Sequence, residues 1–142
     1  MKAIDVKIAI RDRQLVNGET EEMSVVTLGT MQKENNSVIL KFTEQFDVDS
    51  VCSTVLSVTD GKKVTMERSG LYNSELIIEE KVRHNCLYGT PYGEFMIGIY
   101  TDNVDFVTNN DGSYSLDMKY TIDFYSGLAA ENNMSLMIIP VA

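Results

Sequence analysis

Four widely spaced side chains carry the groups with which this chain could grip a polar ligand: Glu44, Arg68, His84 and Tyr88. Each shares its parity with a run of apolar residues. Glu44 is in phase with Val38, Leu40 and Phe42, Arg68 with Val64 and Met66, and His84 and Tyr88 with Cys86. Residues two apart on an extended chain lie on one face, so apolar series that point into a core take these four groups with them. A charge placed there is costly unless paired. Arg68 would then grip Glu44 bidentately, or hold a ligand carboxylate. His84 would donate or accept a hydrogen bond through its imidazole, and the tyrosines at 88 and 92 would offer hydroxyls at a mouth. The competing reading is structural: an Arg–Glu pair closing a strand end, with Tyr92 packed at a corner beside Pro91.

Other chemistries are poorly served. The single histidine excludes a multi-histidine metal site within one chain. No nucleophile elbow, phosphate-binding loop or dinucleotide fingerprint is present. Asp47 and Asp49 lack the glycine and closing glutamate of a calcium loop and read as a solvated loop. Glu79-Glu80-Lys81 has the wrong spacing for a charged lumen, because adjacent strand residues face opposite sides. An acid or base role for His84 or a tyrosine ranks last. The chain is expected not to be an enzyme, with no catalytic residues, no metal and no cofactor.

The 142 residues suit one domain, 1–142, with a sizeable core. Hydrophobic residues make up 44% and mean hydropathy is −0.10, values of a soluble globular chain. No apolar run approaches the roughly 20 residues of a membrane helix. The stretch from Met1 to Arg11 alternates charge with apolar residues and lacks a signal peptide's apolar block, so a cytoplasmic location is expected. Cys52 and Cys86 then read as thiols. Net charge is −9, from 21 acids against 12 bases. A field of that sign repels phosphate backbones and anionic membranes, so neither nucleic acid nor membrane is an expected partner.

Period-two alternation runs through the whole chain. Ile4, Val6, Ile8 and Ile10 share one face, and Phe95, Ile97 and Ile99 another. Tyr114, Leu116, Met118, Tyr120, Ile122 and Phe124 alternate with polar residues throughout, which means one buried face and one wet face. Asn17-Gly18, Asn35-Asn36, Asp60-Gly61 and Asn110-Asp111-Gly112 read as hairpin turns. Val25-Val26 breaks the phase and suggests a bulge. Ser126-Gly127 opens a loop, with a short helical turn expected from Leu128 to Asn132. The pattern predicts an all-β, antiparallel meander barrel of about eight to ten strands, because closure removes exposed edges. A two-sheet sandwich is the runner-up. Val51 to Val58, short on charge, is the candidate edge for a partner or a homodimer.

Met66-Glu67-Arg68-Ser69-Gly70, then Tyr88-Gly89-Thr90-Pro91-Tyr92-Gly93, together with Lys41-Phe42-Thr43-Glu44, resemble the YwiB-like family of small bacterial proteins. The likeness spans nearly the whole chain in strand order and spacing. It implies a calycin-like barrel, related to lipocalins and fatty-acid-binding proteins, and supplies no established activity. Two functions are therefore expected in order. The first is a small amphipathic or apolar ligand held in the lumen near Arg68, which needs a cavity of a few hundred Å3. The second is a filled barrel acting through its outer surface or a dimer interface.

Overall fold

The computed structural model describes residues 2–47, 50–70, 73–90, 92–124 and 129–141. Ten strands follow one another: β1 (Ile4–Val16), β2 (Glu19–Glu34), β3 (Ser37–Asp47), β4 (Ser50–Thr59), β5 (Lys63–Gly70), β6 (Ser74–Glu79), β7 (Arg83–Thr90), β8 (Gly93–Thr108), β9 (Tyr114–Asp123) and β10 (Ala129–Pro140). Each pairs antiparallel with the next, and β10 returns to β1 to close a barrel. The expected meander barrel is the fold, and its closure rules out the sandwich.

Local chemistry sets the hairpins. Asn17 and Gly18 have φ of 51° and 78°, and Asp60 and Gly61 have 55° and 67°. These left-handed pairs match the twist of the flanking strands, which is why Asn-Gly and Asp-Gly serve there. At the β8–β9 turn the Asp111 carboxylate accepts from the Ser113 amide and hydroxyl at 2.9 and 2.6 Å. One face of every strand fills the interior: Val6, Ile8, Leu40, Leu56, Ile78, Ile99, Leu116 and Ile138 are all fully buried.

Several expectations are corrected. The β1–β2 ladder runs unbroken from Ile4↔Met31 to Val16↔Glu19, so there is no bulge at Val25-Val26. Val25 faces inward opposite Ile10, and Val26 faces out, 64% exposed. The register shifts instead between Gln45 and Asp47 and between Thr101 and Asn103. The extra residue at Asp102 lets Ile97, Ile99 and Thr101 and then Val104 all face the core. No helical turn spans the stretch up to Asn132, because β10 begins at Ala129; Leu128 lies outside the described residues, as do Val48 and Asp49 of the acidic loop. Nor is Val51–Val58 an edge: β4 is laddered to β3 on one side and β5 on the other.

One join is thin. Between β6 and β7 the ladder is the single pair Glu75↔Leu87. Side chains take over its backbone donors: the Ile77 amide donates to Cys86 Sγ at 3.3 Å, and the Gly89 amide to Ser74 Oγ at 3.0 Å.

Candidate functional site

The barrel has two chemically different ends. At the end carrying the β1–β2 turn, inward positions turn polar. Thr54 stands opposite Phe42 on β3 and Arg68 on β5, so three neighbouring strands bring Glu44, Thr54 and Arg68 together. The Thr54 hydroxyl and the Arg68 guanidinium both donate to Glu44 Oε1, at 2.8 and 3.1 Å. The pair is largely screened from water, with side-chain exposures of 18% and 12%. Contact runs through a single carboxylate oxygen, where a bidentate fork was expected.

Asp12 on β1 faces the same chamber. Burial pushes its carboxyl pKa up, Arg68 opposes that shift and Glu44 adds to it. Its buried Oδ1 has no hydrogen-bond partner among the described residues. Burial also raises the Tyr120 hydroxyl, with Asp12 and Tyr88 adding to the shift. The guanidinium is thus paired with Glu44 and also attracts the Asp12 carboxyl, so little of its charge is left for a ligand anion. Space is equally short. The cavity lined by Phe42, Glu44, Met66, Arg68 and Met134 holds about 10 Å3, barely enough to admit one water.

The four residues grouped by parity do not form one site. Glu44 and Arg68 meet, and Tyr88, half-buried, belongs to the same end. His84 lies four residues further along β7, roughly 13 Å away at strand rise. There its Nε2 is 2.8 Å from Glu79 Oε1, across the β6–β7 turn. Tyr92 is neither a mouth hydroxyl nor a packed corner. It is 91% exposed, with its amide donating to Thr90 Oγ1 in the β7–β8 turn. Pro91 lies outside the described residues.

The opposite mouth presents what the first lacks. Lys33 follows Met31 on the inner face of β2 and reaches across the opening, its Nζ 4.6 Å from the centroid of the Tyr114 ring. Phe106 stacks on Tyr114 with ring centroids 5.8 Å apart and planes 5° from parallel. These groups, with Val38, Val58 and Asp60, line an open depression of about 290 Å3. The Asp60 amide donates to the Asn36 carbonyl at 2.9 Å and ties two of the rim hairpins together. Another depression, of about 300 Å3 at the β1–β2 turn, is lined by Gln14, Val16, Asn17, Glu19 and Glu21 and offers no ring and no cation.

Nothing in a single strand announces this mouth. Lys33 has the parity of the buried Met31, but its neighbour Tyr114 is three strands away around the ring, over β1 and β10. Only the order of closure brings them together.

The described residues form a closed ten-strand antiparallel barrel lined by buried apolar side chains. The chain belongs to the DUF1934 family, a domain of unknown function whose model matches residues 8–136. Its fold is similar to the crystal structure of the ywiB protein from Bacillus subtilis: 17% identity, 99% of this chain and 94% of that one covered, TM-score 0.83. A weaker likeness, TM-score 0.40 at 8% identity, links 96% of the chain to 41% of a protein of unknown function from Bacteroides ovatus. No curated protein matches the chain.

Proposed function

We propose that this barrel binds a small amphipathic molecule, an aromatic or similarly flat apolar body with one negative group, at the mouth bounded by Lys33 and Tyr114. The observation that carries the reading is Lys33 held over the Phe106–Tyr114 stack beside about 290 Å3 of open space. That volume is at the lower end of ligand sites, whereas the cavity between Glu44, Arg68 and Met134 holds only about 10 Å3. Offset aromatic contacts are worth about 0.5–1.5 kcal/mol beyond area burial. A hydrogen bond to a charged group adds about 1.5–3 kcal/mol. The net charge of −9 selects against polyanions, so nucleic acid, nucleotides and anionic membranes are poor partners.

The role is binding, not catalysis. Burial raises the Cys86 thiol against the opposing hydrogen bond from the Ile77 amide, which disfavours the nucleophilic thiolate. His84 is engaged by Glu79 away from both the polar chamber and any nucleophile named above. A cytoplasmic setting fits two cysteines that form no disulfide. None of the described residues forms a helix long and apolar enough to cross a membrane.

The probe is 1-anilinonaphthalene-8-sulfonate, a flat apolar anion, followed by fluorescence and by amide shifts in labelled protein. Saturable binding with shifts at Val38, Val58 and Phe106, weakened about tenfold by Lys33→Met, supports the reading. Binding that is absent, or that maps elsewhere and ignores Lys33→Met, overturns it. A second reading, a filled barrel working through its outer wall, is favoured by the exposed apolar residues of β2 and β10.

A further inference from the structure

From Glu19 to Leu28, the backbone of strand β2 is laddered to β1 alone among the described residues, because its ladder to β3 begins only at Gly29↔Phe42. At the point of divergence the Thr27 hydroxyl crosses to the Thr43 carbonyl at 2.9 Å. A run of ten residues therefore offers one row of backbone donors and acceptors to another strand. The wall beside it is apolar. Val26 and Leu28 are 64% and 72% exposed, and the patch continues through Ala9 to Met137 and, past Lys7, to Ile139.

We infer that two copies of this chain join by antiparallel pairing of these β2 edges. The order of residues along the edge selects that occupant. Acids fill the first half, Glu19, Glu21 and Glu22, while Val25, Val26 and Leu28 fill the second. About a two-fold axis at Ser24, Glu21 of one copy faces Thr27 of the other and Glu22 faces Val26, so no acid opposes an acid. A parallel pairing in register would set every glutamate against its own copy. Arg11 lies one strand behind Ser24 and already holds Glu22 at 2.7 Å. Two such pairs would flank the axis and offset the acids gathered there. The apolar wall would then run continuously across both barrels, which suits a two-fold interface more than the exterior of a monomer. The contact is on the outside of the barrel, so it stands or falls apart from the ligand reading.

Sedimentation equilibrium on the full chain tests it. The expected result is a reversible dimer. Val26→Glu sets an acid against Glu22 and should raise the dissociation constant at least about tenfold. Because Val26 faces solvent in the single barrel, circular dichroism should not change. Combining V26E with E22K sets opposite charges across the axis and should restore association. A wild-type chain that stays monomeric overturns the inference. So does V26E that associates as tightly as wild type, or a double variant that recovers nothing.

Discussion

Lys33 and Tyr114 are far apart in sequence and three strands apart in the ring, yet the ammonium of one rests 4.6 Å from the centre of the other's ring. The contact is partly wet, since Lys33 is exposed, and exposed cation–π pairs are worth about 0.5–1 kcal/mol. Lys33→Met keeps the stem and removes the charge. It should lower the unfolding free energy by no more than about 1 kcal/mol in a urea titration. A much larger loss would make Lys33 a structural cap and weaken the case for a site.

The Glu44–Arg68 pair should behave as a unit. Arg68→Met leaves a nearly buried carboxylate with the Thr54 hydroxyl as its remaining named donor and should cost about 2–4 kcal/mol. Glu44→Gln should cost less, because Thr54 can still donate to the amide oxygen. The double variant should cost clearly less than the sum, giving a coupling of about 1–3 kcal/mol in a double-mutant cycle. Strict additivity would mean that the two side chains are not in contact in solution.

Asp12 should work against stability at neutral pH. Its folded-state pKa is raised above 3.8, chiefly by burial. As pH climbs through that value the unfolded chain gives up this proton first, so the group's contribution to stability falls until the folded pKa is passed and stays low above it. Asp12→Asn should therefore raise Tm at pH 7, and the gain should vanish below the ordinary aspartate range. A variant less stable than wild type at pH 7 would show that the Arg68 attraction outweighs desolvation.

The thin β6–β7 join has little room. A Cβ on Gly89 would meet the backbone of Asn73. Gly89→Ala should force the strands apart and cost about 1–3 kcal/mol. The Ile77 amide, which donates to Cys86 across that join, should lose protection from hydrogen exchange before the β8–β9 ladder does. Uniform loss across the barrel would count against a local weak point.

Much of the fold was legible because β strands report burial through parity. Tyr114 to Ile122 alternates in sequence and alternates in burial. Asn-Gly and Asp-Gly turns appeared where expected because few residues tolerate their backbone angles. The site was less legible. Parity says that Glu44, Arg68 and His84 face inward, but not at what height, and height separates His84 from the other two. Asp12 was missed although its parity matches Ile8 and Ile10, because a carboxylate at the end of an apolar run looks like a strand terminus. The edge was misplaced because Val51–Val58 has an edge's composition, while pairing is decided by neighbours that no single strand names.

The residue inserted at Asp102 has an effect well beyond its own position. Side chains on either side of it follow opposite odd–even frames, so the second half of β8 is wired in inverted polarity relative to the first. Phe106 faces the mouth only because of that inversion; in an uninterrupted frame, Asp105 would take the inward turn. The aromatic floor under Lys33 thus depends on a counting device a full turn of side chains away. Single-residue insertions or deletions in β8 would rewrite the mouth while leaving every side chain in it chemically the same.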